Sequence, residues 1–350
     1  MQYFRFCHQQ FQLQTMLPTT HHAIHISQYG APSVLLRQAT PMPSPQQGEV
    51  LIKTAYAGIN RADCLQRRGK YPAPAGASPI LGLEVSGQVV AIGGGVDSSW
   101  LGKNVCALLA GGGYADYVNA STDLCLEIPA SLSLQQAAAL PEALFTIAML
   151  LIETAKVKQG ETLFFHGGSS GIGSLMIQLA KLMGLRVIVT AGSEEKTARC
   201  LSLGADTAIN YRQPEAAHLI QQAASKEGID VVVDMMGGHW LAQHLSWLNP
   251  CGRHVSFAVQ GGHEAHINLI TIMQKKLQLT GCTLRARPLL EKIALAAMVK
   301  ANFWPWILKK QAQPIIDTVF DATEAVKAHE KMESGQHFGK IILCFAGNSR

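Results

Sequence analysis

The sequence predicts an α/β protein in two parts, a β-rich segment followed by a doubly wound parallel sheet of six strands. Three observations lead there. Short apolar runs broken by Gly and Pro fill the chain from Ala23 to about Asp123, the mark of strands joined by tight turns. Six apolar strand candidates then alternate with helical stretches, the order that a parallel sheet covered on both faces requires. A chain of 350 residues also exceeds what one small core organises, so two domains with a cleft between them are expected.

Taken in order, Met1 to Thr20 lack a strong apolar segment and carry only Arg5 as a positive charge. A loose extension, or a true start at Met16, is expected there rather than a signal or transit peptide. Val50, Ile52, Thr54 and Tyr56 alternate with Leu51, Lys53, Ala55 and Ala57, and Val85 to Ile92 runs into Gly93-Gly94-Gly95, so both read as strands of a partly closed sheet. After Glu127-Ile128-Pro129 the character changes. Ser133 opens a helical stretch through Ala137, Ala138 and Ala139, and Pro141 marks its end or a kink, so the domain join is expected here. The strand candidates that follow are Leu163–His166, Val187–Thr190, Thr207–Ile209, Val231–Asp234, His254–Phe257 and Leu277–Cys282. After the first of them, Ile172, Leu175, Met176, Leu179, Leu182 and Met183 recur at helical spacing and share one face, which should pack on the sheet. Another helical stretch over 289–310 is interrupted at Pro305, and Lys340 to Phe345 closes the chain as a strand.

Composition narrows the function classes. At 48% hydrophobic and 15% charged the chain falls outside the range of disorder. The net charge of +5 comes from dispersed Lys and Arg without a basic block, so a nucleic-acid footprint has little support. No apolar run reaches the roughly 18 residues of a membrane span, and no span is expected. The eight cysteines form no Cys-x-x-Cys pair, which suits reduced thiols in the cytoplasm.

The segment Leu163-Phe-Phe-His166-Gly-Gly-Ser169-Ser170-Gly-Ile-Gly173 runs from an apolar strand into the amphipathic helix, with glycines spaced Gly168-x-x-Gly171-x-Gly173. Glycine suits a backbone that must turn sharply and approach a pyrophosphate, while the N–H groups and dipole of a helix start favour its negative charge. An NAD-selective site would place Asp or Glu about 20 residues on, at the end of the second strand. This chain has Thr190-Ala191-Gly192-Ser193 there, with no carboxylate before Glu194, and Ser193 and Lys196 could donate to a 2′-phosphate. NADPH is therefore expected over NADH.

Several ordered motifs now form a pattern: Asn60-Arg-Ala-Asp-Cys64 through Tyr71 to Gly76, Leu81-Gly-Leu83-Glu84-x-x-Gly87, Gly111-Gly-Gly-Tyr-Ala115, Ala138-Ala-Leu-Pro-Glu142 and Thr190-Ala-Gly-Ser193. Together they resemble the zinc-free medium-chain dehydrogenase/reductase superfamily, in its NADPH:quinone oxidoreductase family, across Ala23 to Leu343. The resemblance implies a GroES-like β-rich catalytic domain over 21–141 and 289–350, and a Rossmann NADPH-binding domain over 142–288. It also implies an active-site cleft between the two, and a homodimer. By the same resemblance Ser169, Ser170, Gly171 and Ile172 cradle the pyrophosphate, and Gly192, Ser193, Lys196 and Tyr211 surround the adenosine phosphate. Thr146 lies near the nicotinamide ribose, and Phe257, Leu284, Gly339 and Lys340 line the nicotinamide side. Where other superfamily members hold catalytic zinc, this chain has Asn60 and Leu83, neither of which would serve, and the four cysteines of a structural-zinc lobe are missing. The thirteen histidines are scattered along the chain, so no metal is expected.

Without a Lewis acid, the substrate must already accept a hydride readily, as a quinone or similar conjugated carbonyl compound does, and the protein mainly positions the reactants. Asn60 is the candidate to orient nicotinamide or substrate through its amide, and Tyr71 to line the quinone pocket. Product oxygens exchange protons with solvent, so no dedicated acid is required, and Cys64 lacks any motif that would give it a base. Two alternatives stay open: an NADPH-dependent alkenal, enone or enoyl-thioester reductase on the same scaffold, and a non-catalytic nucleotide- or RNA-binding, crystallin-like protein.

Overall fold

The computed structural model describes residues 17–345, so the expected extension lies outside the described residues save for its last four. Among the described residues one sheet has six strands in the order Thr207–Asn210, Arg186–Ala191, Thr162–His166, Ile229–Asp234, Leu248–Ser256, Gln278–Gly281. Every pairing in it is parallel. The order reverses beside the first strand, Thr162–His166, and the C-terminal strand ends at such a switch point are where open α/β sheets leave a crevice for ligands. That strand is buried along its whole length, as its unbroken apolar run requires.

The helix after it, Gly171–Leu182, lays Leu175, Met176 and Leu179 against the sheet, whereas Leu182, on the rim of the expected apolar face, is 36% exposed. The last two strands differ somewhat from expectation. Leu248–Ser256 starts six residues before His254 because it tolerates Pro250 and Gly252 at an irregularity of register, and Phe257 follows just past its end.

A second sheet of seven strands forms the β-rich part, with Glu49–Ile59 and Glu84–Ile92 paired antiparallel at its centre. The C-terminal strand Lys340–Cys344 adds antiparallel to Glu49–Ile59, so the end of the chain returns to this seven-stranded sheet. That return carries Gly339 onto the glycine loop of the other sheet: Gly339 N donates to Ser169 O at 2.9 Å.

Helices Leu134–Ala137 and Pro141–Ile147 run on into a wider turn, Ala148–Thr154. Ser133 caps the first by accepting from Gln136 N, and Pro141 opens the second, where a missing N–H leaves no carbonyl unpaired. One expectation needs correction here. The stretch Leu134–Thr154, with mean hydropathy 1.5, does reach the length and apolar character of a membrane span, because its few polar residues do not lower the average enough. The protein itself surrounds it, with 78% of that window buried. The hydrophobic cluster around it joins Leu126 of the seven-stranded sheet, Val187 of the six-stranded one and Phe303 of the late helices, so one cluster spans both parts beside a separate one in each.

Candidate active site

The loop between Thr162–His166 and Gly171–Leu182 is built by steric necessity. Gly167, which the spacing alone did not single out, takes a left-handed φ of +76°. A Cβ on Gly168 would meet Val189 and Cys200 at 2.9–3.0 Å, and one on Gly173 would lie 2.2 Å from the Gly167 carbonyl. Ser170 caps the helix, its Oγ accepting from Gly173 N at 2.9 Å. Ile172 and Gly173 border a small cavity with His166, Met235 and Phe257. The result is a tight turn feeding the free N–H groups of a twelve-residue helix, which fits a diphosphate. One side chain already crosses it: the Lys340 stem packs on Gly171, where a Cβ would come within 2.2 Å of Lys340 Cδ.

At the end of the second strand Gly192 faces the Tyr211 hydroxyl, which a Cβ there would approach to 2.8 Å. Ser193 caps the next helix. The nearest carboxylate, Glu194, is engaged elsewhere, accepting from Asn210 Nδ2 at 2.8 Å and Gln213 Nε2 at 2.9 Å. Lys196 Nζ donates to the carbonyls of Gly335 and His337 at 2.7 and 2.8 Å. Burial and then the charge of Arg212 hold its pKa below the usual lysine value. The fold thus gathers Gly192, Ser193, Lys196 and Tyr211 and adds the exposed Arg212, the residue after Tyr211, a neighbour the strand-end motif did not single out. These residues fit a 2′-phosphorylated ribose in charge, and no carboxylate stands at the strand end itself, the first ones being Glu194 and Glu195 in the helix that follows.

Between the two sheets lies a buried polar network. Asn60 is fixed at both ends of its amide: Nδ2 donates to Glu84 Oε1 at 3.0 Å, and Oδ1 accepts from Lys340 Nζ at 2.7 Å. Lys340 also pairs with Glu84, whose other oxygen accepts from Glu142 N at 3.0 Å. Lys340 was expected to line the nicotinamide side. Its stem lies on the glycine loop, but its ammonium turns inward to Asn60 and Glu84, where it donates to the buried Asn60 Oδ1 and supplies the cation that the buried Glu84 carboxylate needs. Asn60, expected to orient nicotinamide or substrate through its amide, likewise has both ends of that amide committed to this network. Asp63, just beyond it, is raised to about 6 by burial, with hydrogen bonds from Asn60 and Gly82 opposing. Glu142 is raised to about 8 by burial and the adjacent Glu84 carboxylate.

Tyr71 is half-buried, its ring 5.5 Å from the guanidinium carbon of Arg285. Arg285, 5% exposed, donates through Nε to Ala110 O at 2.8 Å and through Nη2 to Gln66 Oε1 at 2.7 Å. Its Nη1 is buried without a hydrogen-bond partner among the described residues. Sequence reasoning missed this arginine; its place just past the last strand was the available signal. Leu284 beside it is buried in the shared core, Phe257 packs against that core, and Thr146 is buried in Pro141–Ile147.

Cys64 does meet a base that no motif announced, His329 Nδ1 at 3.6 Å. Burial and the Asp63 carboxylate push the thiol up to about 12, which disfavours the thiolate a nucleophile needs. At the positions where zinc would be held, Leu83 is a core side chain and Asn60 is an amide in the network above, so this donor set does not fit zinc. Among the described residues one group of His, Cys, Asp or Glu gathers as metal ligands do, Asp234 and His254 on strands of the six-stranded sheet and His244 on the helix Trp240–Trp247.

Residues 46–130 match the family model described as alcohol dehydrogenase GroES-like domain, and residues 171–300 the one described as zinc-binding dehydrogenase. A quinone oxidoreductase of Sus scrofa is 33% identical over 328 residues, covering 92% of this chain and 97% of that protein. A mycobacterial protein complexed with NADPH superposes with a TM-score of 0.80 at 27% identity, covering 93% of this chain and 99% of the other. The enoyl reductase CurK does so with a TM-score of 0.79 at 25% identity, over 93% and 99% of the two chains.

Proposed function

The chain belongs to the quinone oxidoreductase family of the medium-chain dehydrogenases/reductases, and from that premise we propose that it uses NADPH to reduce a quinone without a catalytic metal. The observation that carries the reading is the pairing of a nucleotide corner without a strand-end carboxylate with an unpartnered buried guanidinium. Ser193, Lys196 and Arg212 favour a 2′-phosphate, and Glu194 is tied away from it. When bound, the reduced nicotinamide supplies a hydride. The chain's own residues position the acceptor. Tyr71 offers a flat, half-buried face to a planar ring, and Arg285 Nη1 is a free donor for the acceptor oxygen on which negative charge grows. A quinone suits this arrangement because the electrons it gains become part of an aromatic ring, so one fixed cation suffices where poorer acceptors need a metal. Asn60, Glu84 and Lys340 act one layer back, locking the glycine loop to the seven-stranded sheet.

A second reading, reduction of an enone or enoyl thioester, is favoured by the likeness to CurK and by a tyrosine at the pocket. Rates with NADPH and one quinone, one alkenal or one enoyl thioester separate the two. The quinone should be reduced at least tenfold faster than either, a difference of about 1.4 kcal/mol in barrier. A faster enoyl thioester would transfer the assignment to that class, and binding of NADPH without oxidation by any acceptor would leave a non-catalytic protein.

The proposal also covers assembly and location: a homodimer in the cytoplasm. Leu269, Ile270 and Met273 are 64%, 59% and 74% exposed beside the edge strand Gln278–Gly281, all of whose residues face solvent. An apolar patch next to an unpaired strand edge is a surface that a second copy can cover.

A further inference from the structure

Histidines scattered along the sequence meet inside the six-stranded sheet. His166 ends Thr162–His166, His254 lies on Leu248–Ser256, and His244 points in from helix Trp240–Trp247. Asp234 ends Ile229–Asp234, and it, His244 and His254 are all 0% exposed. Asp234 Oδ2 lies 3.4 Å from His254 Nε2 and 3.7 Å from His244 Nδ1, and those two nitrogens are 3.1 Å apart. Amides of Met236 and Gly237 also donate to the carboxylate. A buried carboxylate needs a compensating charge or a metal ion, and among the described residues the basic side chains within 4 Å of Asp234 are these two imidazoles.

We propose that Asp234 Oδ2, His244 Nδ1 and His254 Nε2 bind one divalent transition-metal ion, with zinc the best match. A tetrahedral ion with bonds of about 2.0–2.1 Å spans ligand-to-ligand edges of about 3.3–3.4 Å. The three observed edges bracket that value. Ligation through Nδ1 leaves the His244 proton on Nε2, which faces His166 Nε2 at 2.9 Å. His166 then holds its own proton on Nδ1, 2.9 Å from Thr190 Oγ1. Such a chain of outer partners is what fixes the tautomer of a metal-bound imidazole. Two nitrogen donors and one carboxylate select zinc over calcium or magnesium, which take oxygen. The fourth position falls to water.

This ion does not touch Asn60 or Leu83, so it is separate from the catalytic-zinc positions and leaves the metal-free chemistry of the cleft as proposed. Its role is structural: it ties two neighbouring strands and a helix together beneath the loop that begins at Gly167. The expectation of no metal rested on Asn60 and Leu83, on the missing cysteines and on the dispersal of the histidines; only the last is confined to the sequence, since His166, His244 and His254 meet in space.

The test is metal content of the untagged full-length chain, expressed with zinc and dialysed, by mass spectrometry. About one zinc per chain is expected, falling to background in His244→Gln and His254→Gln and unchanged in His218→Gln, an exposed control. Cobalt(II) added to the stripped wild-type chain should give the visible bands of a four-coordinate nitrogen/oxygen site without a sulfur charge-transfer band. It should also raise the melting temperature, as any ligand of the folded state does. The variants losing zinc and cobalt giving these bands would support the site. A folded wild-type chain that takes up neither metal would overturn it and leave a hydrogen-bonded histidine chain sharing a proton with Asp234. Equal zinc in wild type and His254→Gln would overturn it as well.

Discussion

Arg285 is the residue on which the proposed chemistry turns, because its buried, unpartnered Nη1 carries a penalty of about 1–3 kcal/mol that an accepting substrate oxygen would relieve. Replacing it by Ala should lower kcat by roughly 100-fold, the usual loss for one donor to a developing oxyanion, with NADPH affinity retained. Added guanidinium ion should restore part of that rate; a variant of unchanged kcat would remove Arg285 from the mechanism. At the other end of the cleft, Lys196→Ala should raise KM for NADPH by roughly tenfold, the worth of a charged hydrogen bond, and leave that for NADH unchanged. A parallel rise for both cofactors would mean that Lys196 only braces Gly335 and His337. Ser193 and Lys196 were legible in the sequence because local spacing sets their place at a strand end. Arg285 and Lys340 were not legible in these roles: Lys340 reaches Asn60 across 280 positions, and Arg285 reaches Gln66 across 219. No local pattern records such a meeting.

Among the elements, the glycine loop makes the most direct steric prediction. A methyl group on Gly173 would strike a backbone carbonyl that cannot move, whereas one on Gly171 would strike the flexible Lys340 stem. Gly173→Ala should therefore destabilise the chain by about 1–3 kcal/mol and abolish NADPH binding, with Gly171→Ala the milder of the two. Thermal melts with and without NADPH check the order, and its reversal would mean the loop is held differently. The strand–loop–helix unit was readable because its apolar runs are continuous and its glycines sit where sterics demand them. The strand Leu248–Ser256 was read short because Pro250 and Gly252 look like a break. The sheet accommodates them with a register irregularity and a positive φ of +64° at Cys251.

For the molecule as a whole, the interdomain network couples stability to pH. Glu142 keeps its proton up to about pH 8 in the folded chain, against 4.5 for an unperturbed glutamate. Between those values the folded state binds more protons than the unfolded one, so this group lowers stability as pH rises, and its contribution levels off above about 8. From pH 6.5 to 8 the loss should approach about 2 kcal/mol in urea unfolding, and Glu142→Gln should flatten it. An equal slope in the variant would place the titration elsewhere. The two-part architecture and the return of the last strand agree with what the motifs implied, since they follow from patterns repeated over the whole chain. The shared core and the histidine cluster depend on how distant segments pack, which no window of sequence contains.

The central claim is that the corner formed by Gly192, Ser193, Lys196 and Arg212 holds a 2′-phosphorylated dinucleotide whose reduced ring faces a quinone. Initial rates at one saturating quinone concentration, with NADPH and NADH varied in parallel, test it most directly. The account predicts kcat/KM at least tenfold higher for NADPH, about 1.4 kcal/mol in favour of the phosphate. Equal values, an NADH preference, or no oxidation of either cofactor above the quinone-free blank would contradict it.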